Sequence, residues 1–315
     1  MRKFLQKSLF FIIPLLILGL LFEYSLRKIP NDYQFKKEFL DKNSDSVRIL
    51  FLGSSHAMFS INPEYISNKS FNAGHNSQTL DYDFEILKKY ANNWRSLECI
   101  AISISDFTLY KKVGVMDPSK IKNYTIYYGF KTSWKISDHS EVLSIKGLSN
   151  LKRAYVYYMQ NKSPISCSDL GFSFFSDPTT KYDLVETGKK NAAYHASKDD
   201  KYLNENLNTL KSIIEFTRKR EIRLFLYTAP AYQTYVENLD INQLQRAIKT
   251  LADIQNKYNH VVYRNFLSDN SFSANDFINA DHLNEKAARR FTLTIDSLIN
   301  KNKRSTWIKS DSLPK

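Results

Sequence analysis

Apolar residues along this chain follow two different spacings, and the alternation between them predicts the order of strands and helices. Short continuous apolar runs bounded by turn residues are typical of strands buried inside a parallel sheet. Five segments have this pattern: 47–52, 70–72, 100–104, 222–227 and 261–266. The sequence therefore predicts five short strands.

Between these strands, apolar residues recur every three or four positions, which is the spacing of an amphipathic helix. Four helices are predicted in this way, on the stripes Leu80/Phe84/Leu87/Tyr90, Leu203/Leu207/Leu210/Ile213/Ile214, Leu244/Ile248/Leu251/Ile254 and Ala287/Ala288/Phe291/Ile295. Strands alternating with helices predict an α/β fold with a doubly wound parallel sheet. Sites in such sheets form at the carboxyl ends of the strands, a position that Ser55, Asn76, Asp106 and Pro230 share.

The N-terminus has a basic cluster followed by an apolar stretch over residues 9–22 that ends at Glu23. The stretch is short for a membrane span and has the length of a signal-peptide core, so both interpretations are open. No small-residue cleavage site follows it, which favours an uncleaved signal anchor over residues 1–27. The basic residues that precede it favour a cytoplasmic N-terminus. We therefore expect a single-pass protein of the cell membrane whose bulk lies on the extracytoplasmic, periplasmic side.

The rest of the chain divides into segments of different pattern. Residues 28–46 are polar and indicate a stalk or a first helix, residues 47–300 the α/β domain, and residues 301–315 a polar tail. Residues 111–200 are weakly patterned and are interpreted as an insertion into that domain. The aromatic residues of the insertion either stack on sugars or pack in its core, and core packing is favoured; they include Tyr124, Tyr127, Tyr128 and Trp134.

Charge and cysteine content exclude some classes of function. The net charge is +13, but the lysines and arginines are scattered and no nucleic-acid-binding motif is present, so a nucleic-acid partner is not expected. Cys99 and Cys167 lack the spacing of a zinc site, and we expect no metal and no cofactor. A disulfide between them is open, with two free buried thiols favoured.

The first candidate for chemistry is Gly53-Ser54-Ser55-His56, which directly follows the first strand. A strand that breaks at glycine and presents a serine at a helix start exposes that hydroxyl beside free backbone N–H groups. An acyl-transfer nucleophile needs both features. A serine in this position is equally typical of a helix N-cap.

The second candidate is Asn279-Ala280-Asp281-His282, in a polar turn before the last helix. His282 has the position of a general base for Ser55. A single histidine is more often an ordinary surface residue, and its pairing with a serine at a strand end favours the catalytic interpretation.

Together these blocks resemble the SGNH/GDSL-like hydrolase family, and more closely its exported bacterial branch linked with cell-surface polysaccharide acylation. The resemblance covers about residues 47–298, apart from the insertion. It implies a three-layer, flavodoxin-like fold, with Ser55 as nucleophile, His282 as base and Ser54 where the family has Asp. It also implies oxyanion or substrate-binding positions in the second and third blocks, at Gly74, Asn76 and Ser105.

The family's last block has Asp three residues before the histidine, and this chain has Asn279 there, with Asp281 adjacent to His282. Either residue is a candidate to hold the imidazole. Replacing the Asp by Asn in the serine protease triad costs about 10⁴ in rate, so this departure bears on activity.

The resemblance implies a serine esterase or O-acyltransferase acting on acyl esters, with acetyl expected, of a surface or secreted polysaccharide. Its expected partners are an acylated glycan, the membrane and a membrane protein that delivers the acyl donor. The alternative is a catalytically degenerate SGNH-like protein that binds glycan or assists polysaccharide assembly, which the altered blocks favour.

Overall fold

The computed structural model describes residues 1–144, 147–175 and 182–305, with the backbone alone at 302–305. The chain forms two compact units. One comprises Met1–Glu38 and Asp117–Ser166, and the other comprises Phe39–Met116 and Cys167–Lys315. Most of the predicted polar tail, 306–315, lies outside the described residues. The predicted boundaries of the insertion, at 111 and 200, stay predictions.

The second unit contains the sheet. Its five parallel strands have the order β2-β1-β3-β4-β5. They are β1 Ile49–Leu52, β2 Ser70–Asn72, β3 Cys99–Ser103, β4 Arg223–Thr228 and β5 Val261–Asn265. This is the order of flavodoxin-like doubly wound sheets. The predicted fold class and all five strands are therefore confirmed.

The helices of the chain are α1 Arg2–Lys28, α2 Asp32–Asn43, α3 Ser55–Met58, α4 Leu80–Lys89, α5 Val113–Met116, α6 Ile121–Asn123, α7 Glu141–Ser144, α8 Gly147–Tyr158, α9 Leu184–His195, α10 Leu203–Arg218, α11 Gln233–Val236, α12 Ile241–Lys257 and α13 Glu285–Ser305. The four helices predicted from apolar stripes correspond to α4, α10, α12 and α13. Helix α2 occupies most of the segment that was interpreted as a stalk or first helix.

Alternation along the strands divides the core into two layers. One set of side chains, including Phe51, Ala101 and Phe225, packs with Phe291 and Ile295 of α13 in a single buried cluster. Intervening residues of the same strands face the other side of the sheet and are also buried; they include Leu50, Ile100, Ile102, Leu224 and Leu226. Helix α10 contacts β4, and α4 packs on α10. Helices thus cover both faces.

A small antiparallel hairpin follows the sheet and is important for the site. It consists of β6 Phe277–Asn279 and β7 His282–Leu283, and its register pairs Asn279 with His282. Only Ala280 and Asp281 lie between the two strands. This tight turn leads directly into α13.

The unit that contains α1 has its own aromatic core. Tyr124 and Tyr128 are buried and contact the rings of Tyr33 and Phe130, which confirms core packing for these two tyrosines. Trp134, by contrast, is 92% exposed. Among the described residues, α1 is the one helix long and apolar enough to cross a membrane, with a mean hydropathy of 2.3 over its most apolar window.

Neither of the two cysteines is part of a disulfide. Cys99 is buried in β3 and Cys167 is half-buried. The absence of a disulfide between them agrees with the favoured expectation. The expectation that both thiols are buried is wrong for Cys167, which is half-buried and forms an isolated β-bridge with Ser173.

Candidate functional site

The turn after β1 has a backbone conformation that favours glycine. Gly53 has φ +121°, and a Cβ there would lie 3.0 Å from the carbonyl oxygen of Ser103. Its N–H donates to Asp83 Oδ1 at 3.0 Å, and Gln78 Nε2 donates to the same oxygen at 2.6 Å. Burial raises the pKa of the Asp83 carboxyl to about 7. The turn that positions Ser55 is thus held by a buried carboxyl group.

The sequence left two roles open for a serine after β1, helix capping and nucleophilic attack. Ser54 takes the capping role, and Ser55 stays the candidate nucleophile. Ser54 is the N-cap of α3, and its hydroxyl accepts the N–H of His56 at 3.3 Å. Ser55 is the first helical residue and is 8% exposed. At the first helical position its backbone N–H has no intrahelical partner. Ser55 is therefore left available for chemistry while its neighbour caps the helix.

His282 is held by both of the residues that the sequence offered. Its Nδ1 lies 2.9 Å from Asn279 Oδ1 and 3.2 Å from Asp281 Oδ1. Both oxygens accept hydrogen bonds, so the proton belongs on Nδ1 and the lone pair on Nε2. Within the described part of the chain, His282 Nε2 is buried and has no hydrogen-bond partner.

The His282 ring lies against α3. Its centroid is 5.3 Å from that of His56 in α3 and 5.3 Å from that of Phe59, the C-cap residue of α3. The structure therefore brings the hairpin to the helix that begins with Ser55. No hydrogen bond joins Ser55 Oγ to His282 Nε2 among the described residues. Catalytic hydrogen bonds are often long before substrate binds and shorten in the complex.

Asp281 connects two imidazoles. Its Oδ2 lies 3.4 Å from His56 Nε2, and its Oδ1 also accepts a hydrogen bond of 2.6 Å from Asn191 in α9. Burial alone would raise the pKa of this carboxyl, but His282 and His56 hold it well below its usual range. Asp281 is therefore a buried carboxylate beside the candidate base.

Ser105 follows β3, at the position where the resemblance implies an oxyanion donor. Its Oγ lies 2.5 Å from His56 Nδ1. Since Asp281 can only accept, His56 presents its proton to Asp281 from Nε2, and Nδ1 then accepts from the Ser105 hydroxyl. The Ser105 proton is thus directed at His56, and a role for Ser105 as an oxyanion donor stays a proposal.

The second block lies beside the first. A Cβ on Gly74 would lie 2.9 Å from the carbonyl oxygen of Gly53, so this contact between the two turns requires glycine. Asn76 is exposed in the turn after β2, and the hydroxyl of Ser77 donates to its Oδ1 at 3.4 Å. The proposed oxyanion or binding roles of Gly74 and Asn76 stay proposals.

A second polar layer lies behind His56. His195 Nδ1 is 2.7 Å from the Tyr235 hydroxyl, which donates to Asp106 Oδ1 at 3.0 Å. Gln243 donates to the other Asp106 oxygen at 3.0 Å. Burial lowers the pKa of His195 to about 3, which keeps it neutral, and burial raises the pKa of Asp106.

One group of side chains has metal-ligand chemistry. Donor atoms of His56, His195 and Asp281 all lie within 4.8 Å of one another, and all three residues are buried. Each already has a hydrogen-bond partner, through Ser105, Tyr235 and Asn191 respectively. The cluster thus fits a hydrogen-bonded network that supports the site.

An aromatic pocket opens beside His282. It has a volume of about 420 Å³ and is lined by Phe59, Phe172, Ser173, Phe174, Phe175, Ile278, Leu283, Asn284, Glu285 and Lys286. Phe59 stacks on Phe175 at 4.3 Å, and both rings make T-shaped contacts with the His282 ring. Pockets of this size and apolar lining are typical of small-ligand sites.

Sequence reasoning missed five residues of this network: His56, Asn191, His195, Tyr235 and Gln243. His56 was visible in the Ser55 block but had no assigned role. Asn191 and His195 lie in the weakly patterned segment, and their spacing of four residues, which places both on one face of α9, was the available signal.

A comparison of the sequence with protein-family models gives no match, and a comparison with curated proteins gives none either. Among solved structures, the chain is similar to a candidate platelet activating factor from Streptococcus pneumoniae, with 12% identity, a TM-score of 0.43, and coverage of 91% of this chain and 97% of that chain. It is also similar to a candidate acylhydrolase from Bacteroides fragilis, with 12% identity, a TM-score of 0.36 and coverage of 89% and 95%.

A third similar structure is a GDSL-like lipase from Bacteroides thetaiotaomicron, with 11% identity, a TM-score of 0.37 and coverage of 85% and 97%. That lipase bears the name of the family that the sequence blocks of the present chain resemble. At these scores the likeness carries no argument about the reaction, which has to be argued from the geometry of the site.

Proposed function

We propose that this chain is a membrane-anchored serine esterase or O-acyltransferase of SGNH type that acts on acyl esters of a surface or secreted polysaccharide. The observation that carries the proposal is the state of His282. Its Nδ1 faces two oxygen acceptors, its Nε2 is buried and unpartnered among the described residues, and its ring packs on the helix that begins with Ser55. A histidine in this arrangement can act as a general base, because its Nε2 lone pair can accept a proton.

In the first half of the reaction, Ser55 Oγ attacks the ester carbonyl and its proton passes to His282 Nε2. The carbonyl oxygen becomes an oxyanion, which the free backbone N–H of Ser55 stabilises, together with the amide groups of Asn76. The N–H groups of Gly74 and His75 already donate within the fold, to Asn72 Oδ1 and to the Gly53 carbonyl. The C–O bond to the sugar then breaks, His282 returns the proton to the leaving sugar oxygen, and the acyl group remains on Ser55.

In the second half, a hydroxyl attacks the acyl-enzyme and His282 takes its proton. Water gives a free carboxylic acid, and a sugar hydroxyl gives a new ester, so hydrolysis and transfer share every residue of the site. His282 finally returns the proton to Ser55 Oγ.

Asp281 supplies the charge that Asn279 lacks. An imidazolium forms whenever His282 holds two protons, and a carboxylate 3.2 Å from Nδ1 stabilises it, whereas an amide can only orient the ring. Asn279, paired with His282 across the hairpin, fixes the ring orientation. We infer that Asn279 and Asp281 together take the role of the one Asp that the family has in this block.

The aromatic pocket is the candidate site for the sugar part of the substrate. Its ring faces suit the apolar face of a sugar, and Asn284, Glu285 and Lys286 supply polar groups for hydroxyls. An acetyl group, the acyl group that the sequence favours, needs little of this volume. The net charge of +13 suits an acidic glycan.

Hydrolysis of p-nitrophenyl acetate by the full-length chain in detergent tests the proposal. Turnover is expected for the wild type and is expected to be lost in Ser55→Ala. Ser54→Ala is the matched control, because it removes an N-cap worth about 1 kcal/mol of stability but leaves the nucleophile in place. Turnover that persists in Ser55→Ala would remove the nucleophile assignment.

A second candidate function is glycan binding without catalysis. The observation that favours it is the Ser105 hydroxyl, which is directed at His56 and not at an oxyanion. It predicts that the wild-type chain has no esterase activity yet binds an acylated polysaccharide, and that Ser55→Ala binds equally well. Calorimetry measures the binding that both functions require, and wild-type turnover on the bound polysaccharide distinguishes them.

A further inference from the structure

The C-terminal end of α1 is joined to the rest of its own unit by polar contacts. Glu23 accepts the backbone N–H groups of Glu141 at 3.0 Å and Val142 at 2.9 Å, at the start of α7. One turn further along, Arg27 donates to the carbonyl of His139 at 2.6 Å. The start of α7 is therefore fixed at the level where the apolar run of α1 ends.

Helix α8 is fixed at the same level. Arg153 donates to the carbonyl of Leu26 at 3.0 Å, and the Tyr158 hydroxyl donates to that of Ser25 at 2.7 Å. A helix rises 1.5 Å per residue, so Leu26 lies only about 6 Å beyond Phe22, the last residue of the apolar run. If α1 spans a membrane, α8 lies in the lipid–water interface.

Helix α8 has a polar side chain at its most buried position and a long exposed apolar stripe, which is unusual for a helix of a water-soluble domain. Its inward face carries Asn150, which donates to the carbonyl of Glu141 at 2.9 Å, and Arg153, which pairs with the buried Glu141 carboxylate at 2.8 Å. Its outward stripe is apolar and runs on past the end of the helix, with Leu148 at 82%, Leu151 at 56%, Tyr155 at 58% and Met159 at 70% exposure. In water this stripe would be unfavourable.

Other exposed apolar side chains lie in the segment that contacts the C-terminal end of α1. Trp134, Ile136 and Leu143 are all more than half exposed, in or next to the elements that hold the end of α1. Of the fifteen large apolar side chains that are exposed beyond α1 in the described residues, eight lie between Trp134 and Met159. Exposed lysines flank them, at Lys131, Lys135 and Lys152. Tryptophan and lysine beside an apolar face are typical of a membrane interface.

We propose that Trp134, Ile136, Leu143 and the α8 stripe of Leu148, Leu151, Tyr155 and Met159 form a lipid-contacting collar around the exit of α1. The collar inserts its apolar side chains at the headgroup level, and its lysines face anionic lipid phosphates. This proposal rests on the membrane-spanning role of α1 and is independent of the reaction proposed at Ser55.

Photo-crosslinking of the full-length chain in liposomes that contain anionic lipid tests the collar. p-Benzoylphenylalanine replaces Leu151 in one variant and Leu293 in another. Leu293 is a matched control, because it is also a helical leucine and is 49% exposed, in the unit that contains the sheet. Mass spectrometry is expected to find a severalfold higher yield of lipid adducts at position 151. Equal yields, or adducts to protein at position 151, would overturn the collar.

Quenching of tryptophan fluorescence by brominated lipids is the second measurement, and it needs no change in α8. Quenching in the wild-type chain is expected to be largely lost in Trp134→Phe, because Trp134 is the tryptophan of the collar and is 92% exposed. Retention of full quenching in Trp134→Phe would contradict the proposal. Circular dichroism checks that each variant is folded. Neither measurement depends on esterase activity.

Discussion

Asp281 and His282 are neighbours in the chain, yet their side chains meet, with 3.2 Å between Asp281 Oδ1 and His282 Nδ1. Adjacent side chains in a turn usually point apart. Here the turn between β6 and β7 contains only two residues, and the pairing of Asn279 with His282 closes it. The carboxylate therefore lies beside the ring, and its other oxygen faces His56.

We expect Asp281 to be more important for turnover than Asn279. Asp281→Asn removes the charge that stabilises the imidazolium and is expected to lower kcat by up to about 10⁴. Asn279→Ala removes one neutral hydrogen bond, worth about 1 kcal/mol, and is expected to lower kcat about fivefold. Steady-state hydrolysis of p-nitrophenyl acetate measures both, with thermal unfolding as the folding control. A larger loss in Asn279→Ala would reverse the assignment.

Asp83 gives a prediction for the pH dependence of stability. Its carboxyl has a pKa of about 7 in the folded chain against 3.8 as its ordinary value, because it is buried. Between these pH values the folded state holds one more proton than the unfolded state, so the free energy of unfolding falls as pH rises. The total loss by pH 8 is up to about 4 kcal/mol.

Asp83→Asn tests this dependence. Gly53 and Gln78 both donate to Oδ1, so an asparagine keeps an acceptor for both hydrogen bonds. The variant is expected to be more stable than the wild type at pH 8, with a much smaller difference at pH 4. Urea unfolding at the two pH values measures this. A variant that is less stable than the wild type at pH 8 would contradict the prediction.

The aromatic pocket gives a prediction that separates binding from chemistry. Phe174 lines the pocket and is 41% exposed, and its ring contact is with Phe172. Phe174→Ala is expected to raise KM for an acetylated oligosaccharide about tenfold, the equivalent of about 1.4 kcal/mol, and to leave hydrolysis of p-nitrophenyl acetate unchanged. Leu293→Ala, at a similarly exposed position, is the control. An equal loss on both substrates would place Phe174 in the chemistry.

The sheet could be predicted because its signals are local. Each strand is a continuous apolar run, and each of the four helices has a stripe with a single spacing, so burial and period agree at every step. The position of Ser55 followed from the same logic, since a strand that stops at Gly53 ends at the edge of the sheet where sites form. The hairpin was not predicted, because β6 and β7 together contain only five residues.

The support around His282 could not be predicted for a different reason. Asn191 contacts Asp281, which is 90 positions away, and His195 contacts Tyr235, which is 40 positions away. No local spacing of residues encodes contacts this distant along the chain. Likewise, the outward apolar face of α8 breaks the rule that apolar stripes face the core. The sequence pattern is that of an ordinary amphipathic helix, and only the inward hydrogen bonds of Asn150 and Arg153 reveal which side faces out.

Covalent labelling tests whether His282 activates Ser55. The full-length chain is treated with a fluorophosphonate, and the adduct is located and timed by mass spectrometry. An adduct is expected on Ser55 that forms much more slowly in His282→Gln and is absent in Ser55→Ala. An adduct on another serine, or labelling of Ser55 at the wild-type rate in His282→Gln, would contradict this activation.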